Sequence, residues 1–310
     1  MLEKMQMKKF RGVFPAIVAA QDDNNEILFD VMGDLAKRQI ADGAGGFLVN
    51  GHTGELGLLT GDERREAIRT VRAAVGEEVP IIAGIHTQGL GAKFATQADS
   101  AAECGADAIL MFSPFSFARG AFQYAPEAVV EYYRKAAELT PIPMWFMQYR
   151  PQTNLMMPRH VLREIAALPN IGGIKQEVED DIEYERDLVA LREVNPNLAI
   201  FSATDRGLFG NYALGADGCT IGLANFVKPV KALQDRIWAN DLEGAKAASL
   251  HLMPLMDAIY GRPSYRWSSR LKYALHAVGY IPTANIRMPL FPASAEERKA
   301  IDAVLPAYMD

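Results

Sequence analysis

The sequence predicts an α/β chain, a (β/α)8 TIM barrel with a C-terminal helical extension, on three observations. Short apolar runs rich in β-branched residues alternate with longer segments of helical period, the pattern of a parallel sheet with crossover helices. There are eight such runs, and after Gly222 the pattern changes to helices alone.

The runs cover residues 13–18, 46–50, 81–85, 108–112, 144–147, 171–174, 198–201 and 218–221. Most start about thirty residues after the one before, the length of one βα unit. Between them, 63–75, 92–104, 126–139 and 181–194 carry apolar residues at three- and four-residue spacing and predict amphipathic helices. A weak repeat marks the corners: Gly43-Ala44-Gly45-Gly46, Gly105-Ala106-Asp107-Ala108 and Gly215-Ala216-Asp217-Gly218 each follow a helical pattern and precede an apolar run. Each fits a helix stop feeding a strand, with glycine taking the left-handed cap. Doubly wound sheets usually have fewer strands, so the barrel is the better match. Residues 1–225 are read as the barrel core, and 226–310 as its last helix plus the extension. Helices are expected at 229–239, 242–259, 268–278 and 295–304, while 279–292 holds three prolines and cannot be helical throughout.

Of 310 residues, 49% are hydrophobic and 23% charged, the balance of an ordinary globular protein. A net charge of -6 argues against nucleic acid or an anionic membrane as partner. Two cysteines, Cys104 and Cys219, are too few for a disulfide framework and suit a reducing compartment. No uncharged run is long enough to span a bilayer, and the charged start, 1–11, precedes no apolar leader segment. The expected location is cytoplasmic.

Active sites of such barrels lie at the C-terminal ends of the strands. That rule selects Gly51-His52-Thr53-Gly54-Glu55, His86, residues 113–117, Tyr149, Lys175, Ala203-Thr204-Asp205 and residues 220–222. Lys175 ends the small, apolar run Ile171-Gly172-Gly173-Ile174 and should be inside the barrel. A desolvated ammonium loses part of its preference for charge, and the neutral amine attacks a carbonyl to give an imine. Tyr149, on the neighbouring strand end, is placed to move a proton to and from the adduct. The loop 51–55 has glycines on both sides of two polar residues, so its backbone can present amides to a carboxylate. No Walker or dinucleotide loop occurs.

Taken together these residues resemble the class I, Schiff-base-forming lyases that include dihydrodipicolinate synthase and N-acetylneuraminate lyase. The resemblance spans nearly the whole chain: Gly12-Val13-Phe14-Pro15-Ala16, Gly51-His52-Thr53-Gly54-Glu55, Tyr149, Gly173-Ile174-Lys175-Gln176, Gly215-Ala216-Asp217-Gly218 and Arg287-Met288-Pro289-Leu290. It implies a homo-oligomer, tetramer or dimer, acting on pyruvate or another 2-keto acid together with an aldehyde or sugar-acid substrate. It implies no metal and no cofactor beyond the covalent imine on Lys175. Lys175 falls on the imine-forming lysine and Tyr149 on the proton-shuttling tyrosine. Thr53 and Gly54 fall on the carboxylate loop, and Thr220 beside the bound pyruvate moiety.

The chain also departs from the family pattern. His52 stands where dihydrodipicolinate synthase is expected to have threonine and neuraminate lyase serine. The stretch Ser113-Pro114-Phe115-Ser116-Phe117 lacks the synthase's relay tyrosine, and Arg150 directly follows Tyr149 where the synthase places its substrate arginine a few residues later. Aspartate semialdehyde is therefore not the expected acceptor, and His52 is assigned to a distal hydroxyl or oxyanion. Two rivals stand beside this reading: a metal-dependent aldolase or hydrolase using His52, His86 and Asp205, and a keto-acid sensor that has lost turnover.

Overall fold

The computed structural model describes residues 10–86 and 89–309; the first nine residues of the charged start lie outside them. Eight parallel strands form one sheet: β1 (Gly12–Pro15), β2 (Phe47–Val49), β3 (Ile81–Ile85), β4 (Ala108–Met111), β5 (Met144–Gln148), β6 (Ile171–Gln176), β7 (Ala199–Ser202) and β8 (Gly218–Ile221). From β2 to β8 each strand pairs with its sequence neighbour, and β1 pairs with β8. The seam between β1 and β2 is thinner. Gly45 N donates to Val13 O at 2.8 Å and Ile17 N to Leu48 O at 3.1 Å, which closes the barrel. The first run was expected to continue to residue 18; the strand ends at Pro15, and beyond it Ala16 N donates to Ile221 O at 3.3 Å and Ile17 N to Leu48 O as isolated contacts.

The crossover helices are α1 (Phe29–Ala41), α2 (Gly61–Val75), α3 (Ala92–Glu103), the one-turn α4 (Ala121–Tyr124), α5 (Pro126–Glu138), α6 (Arg159–Ala166), α7 (Asp181–Val194) and α8 (Leu208–Ala213). Then come α9 (Val227–Trp238), α10 (Leu242–Tyr260), α11 (Trp267–Ala277) and α12 (Ala295–Val304). The α9 helix lies against β1 and completes the barrel, while α10, α11 and α12 pack on one another. No helix among the described residues is long and apolar enough to cross a membrane.

The repeated corner has a physical explanation. Gly43, Gly105 and Gly215 have φ of 101°, 99° and 108°, the left-handed region that favours glycine. In two of the three, the aspartate that follows ties the entry of the new strand to the strand before it. Asp107 accepts from Ile81 N at 2.9 Å and pairs with Arg72 at 2.6 Å; Asp217 accepts from Ile200 N at 2.9 Å and pairs with Arg192 at 2.5 Å.

Aromatic rings fill the barrel below the strand ends. Phe201 meets Phe14 at 4.8 Å and Trp145 at 5.0 Å between ring centroids, both edge-on. Trp145 also dictates Gly173, where a Cβ would stand 2.3 Å from the indole. Lys175, two residues further along the same face of β6, therefore emerges directly above a dry aromatic layer.

Candidate active site

A cavity of about 1100 Å³ opens at the C-terminal ends of the strands. It is lined by His52, Thr53, Tyr149, Lys175 and Thr220, five of the six residues singled out from the sequence. Gly54, the sixth, is buried in the adjoining turn, where a Cβ would stand 3.0 Å from Ile17 O.

Lys175 is 6% exposed. Among the described residues its ammonium makes no hydrogen bond and no direct ion pair. Burial lowers its pKa, opposed by the more distant carboxylates of Glu177 and Asp205. The strand runs one residue past the lysine, to Gln176, so the amine is held by sheet geometry rather than by a loop.

The loop after β2 turns through left-handed residues at Asn50 (φ 57°) and Glu55 (φ 55°). The amides of Glu55 and Leu56 are used within the turn, donating to His52 O at 3.1 Å and Gly51 O at 3.2 Å. Those of Thr53 and Gly54 find no hydrogen-bond partner among the described residues. On β8 the Thr220 hydroxyl is buried and likewise unpartnered. Buried polar groups are nearly always satisfied, so unspent donors around one cavity mark a place for a polar ligand.

Tyr149 lies just beyond the end of β5. Its hydroxyl oxygen accepts from Ser113 N at 3.1 Å, and the Ser113 hydroxyl meets that of Tyr133 at 2.8 Å. Burial pushes the phenol well above its ordinary range, so it is protonated at neutral pH. The cross-strand neighbour of Lys175 is Met147; Tyr149 stands two residues on, facing the same side. His52 stacks on Phe112, ring centroids 4.3 Å apart, and stays open to the cavity. Desolvation, first, and then the neighbouring Lys175 and His86 side chains hold its pKa below the usual imidazole range.

Arg150 is engaged by Glu177 at 3.0 Å and Glu179 at 3.7 Å, and the Thr153 hydroxyl donates to Arg150 O at 2.8 Å. Among the described residues no three His, Cys, Asp or Glu side chains gather into a metal-holding group, so His52, His86 and Asp205 form no such triad.

The barrel rule overlooks one wall. Tyr260, Arg262, Ser264, Tyr265 and Trp267, at the α10–α11 junction, also line the cavity. Buried Arg270 holds this lip, donating to Gly261 O at 2.7 Å and to Pro263 O. Its signal in the sequence is the Arg262-Pro263-Ser264-Tyr265 stretch, which lies between two helices rather than after a strand.

Residues 9–308 match the Dihydrodipicolinate synthetase family. The chain belongs to this family. It is a lyase of the dihydrodipicolinate synthase-like kind, as the motifs at Gly51-His52-Thr53-Gly54-Glu55 and Gly173-Ile174-Lys175-Gln176 implied. A relative from Kosmotoga olearia, a 4-hydroxy-tetrahydrodipicolinate synthase, is 30% identical over 94% of this chain and 96% of its own. One of the same name from Bdellovibrio bacteriovorus is 27% identical over 96% and 97%. Among solved structures, the dihydrodipicolinate synthase of Agrobacterium tumefaciens superposes with a TM-score of 0.86 at 22% identity, covering 99% of this chain and all of its own. That of Acinetobacter baumannii, a complex with pyruvate, gives 0.85 at 24% identity, covering 97% and 99%. At these identities the superpositions speak to the fold.

Proposed function

We propose that the chain forms an imine between Lys175 and pyruvate or another 2-keto acid, and uses it to make or break a carbon-carbon bond or to dehydrate a sugar acid. The observation that carries this reading is a set of unspent groups: a buried, unpaired amine, the Thr53 amide and the Thr220 hydroxyl in the wall of one cavity, with the Gly54 amide in the adjoining turn.

The carboxylate of the keto acid docks on the two amides. The neutral Lys175 amine adds to the ketone, and the Tyr149 phenol gives its proton to the departing hydroxyl, so that loss of water leaves a protonated imine and a Tyr149 phenolate. In cleavage the bond beyond the adjacent carbon breaks, and its electron pair moves into an enamine as the imine nitrogen accepts the charge. The proton of the leaving hydroxyl passes toward Tyr149, whose oxygen is supported by Ser113 N while it carries negative charge. The enamine is then protonated on carbon, and water releases the keto acid from Lys175. His52 serves a hydroxyl or second oxyanion of the distal half.

The acceptor is one other than aspartate semialdehyde. Arg150, the arginine nearest Tyr149 in the chain, is committed to Glu177 and Glu179, and Thr153 to the local turn. Exposed apolar residues such as Leu250 and Met253 on α10 suit a homo-oligomer, which light scattering measures directly. A keto-acid sensor is the second reading. Met147, the in-register neighbour of Lys175, cannot move a proton.

Borohydride reduction in the presence of pyruvate, with intact mass and peptide mapping, tests the proposal. A stable adduct on Lys175 is expected. An adduct elsewhere, or none with any 2-keto acid, would overturn it. An adduct without turnover of any aldehyde or sugar acid would favour the sensor.

A further inference from the structure

The loop that offers the Thr53 and Gly54 amides is bolted to the C-terminal extension by a second buried lysine. Glu55 takes a left-handed backbone, at a cost of roughly 1–2 kcal/mol for a residue with a Cβ. Its carboxylate is buried and ion-paired with Lys272 of α11, itself 1% exposed. Gln21 Nε2 donates to the same carboxylate at 3.0 Å and Arg287 N at 3.4 Å. The second connection of Lys272 is to Asn285 O at 2.9 Å, within the proline-rich segment. Thr283 of that segment donates to Gln21 O, and the Arg287 guanidinium reaches Leu58 O at 3.0 Å and the carboxylate of Glu63. Three stretches of chain far apart in sequence thus meet on one carboxylate, and that carboxylate belongs to the residue directly after Gly54.

We infer that Glu55 and Lys272 are positioning residues for keto-acid recognition: their buried pair holds the Thr53–Gly54 amides in the geometry that receives the carboxylate. This rests on the imine reading above. A buried pair costs desolvation that packed apolar side chains would avoid, and its best-attested use is to specify one arrangement. Here the arrangement specified is a turn whose amides point away from internal partners, something apolar packing alone does not enforce. The helical extension accordingly holds the carboxylate loop as well as forming one wall of the cavity.

The test is borohydride trapping at Lys175 as a function of carbonyl concentration, with pyruvate and with acetaldehyde, which lacks the carboxylate. It is run on wild type, Glu55→Gln, Lys272→Met and the double variant, each checked for folding by circular dichroism. Half-saturation for pyruvate should rise at least about tenfold, the loss of one charge-assisted hydrogen bond, while acetaldehyde trapping stays near wild type. The double variant should be no worse than the worse single, since the two residues act as one unit. If a single variant fails to fold, the double, which leaves no unpaired buried charge, carries the test. Unchanged pyruvate half-saturation, or equal weakening of both carbonyls, overturns the positioning role. Absence of any adduct on wild-type Lys175 instead overturns the imine reading, and the role assigned to this pair falls with it.

Discussion

Among the described residues two lysines are buried, and they live opposite lives. Lys272 is paired with Glu55 and donates to Asn285 O; Lys175, equally removed from water, has neither partner. Burial lowers the pKa of both. At Lys272 the adjacent Glu55 carboxylate opposes that drop at contact distance, within a buried ion pair. At Lys175 only the more remote Glu177 and Asp205 oppose it. The comparison teaches that desolvation alone does not make a reactive amine; desolvation without a partner does.

The largest expected effect breaks the comparison at its reactive end. Lys175→Ala should abolish both the borohydride adduct and turnover while the circular dichroism spectrum stays native. Residual turnover near the wild-type level would end the Schiff-base account. Next is Tyr149→Phe, expected to slow turnover by about 10²–10⁴-fold, the range for losing a general acid-base group, yet to leave adduct formation measurable; stopped-flow and trapping separate the two steps. At the structural end, Lys272→Met should lower unfolding free energy by about 3–5 kcal/mol in urea titration, because it strands a buried carboxylate. Adding Glu55→Gln should recover much of that loss, whereas an additive double variant would mean the two groups act independently.

A smaller effect concerns pH. Imine formation needs the neutral amine, so the rate of adduct formation should rise with pH and level off below the ordinary lysine range, since burial lowers the Lys175 pKa. Asp205 moves the other way. Burial pushes it up to about 7, against the hydrogen bond from Leu223 N at 3.0 Å. Between about pH 4 and 7 the folded chain then holds a proton that the unfolded chain has released, a contribution to stability present at low pH and lost as pH rises through the folded value. Asp205→Asn should flatten the stability profile across that window. Identical profiles for variant and wild type would remove Asp205 as its source.

Much of this architecture is legible in the chain because its causes are local. The alternation of apolar runs with helical periods names strands and crossover helices, and the glycine corners announce where one gives way to the other. Helix 181–194 and helix 295–304 match their expected limits, each opened by a side-chain cap at Asp180 or Ser294. Short helices such as α6 and α8 escape the same reading, since eight and six residues are too few to establish a period. Strand ends also carry the candidate site, because the barrel rule turns position in a repeat into position in space. By itself, then, the sequence determined the fold class, the family motifs and the lysine worth testing. The tertiary structure alone decided which polar groups are spent and which are free. Lys175 and Lys272 look alike as letters; only the packing of Glu55 against one, and of an aromatic layer beneath the other, makes one a bolt and the other a candidate nucleophile, because pairing and desolvation are set by neighbours distant in the chain.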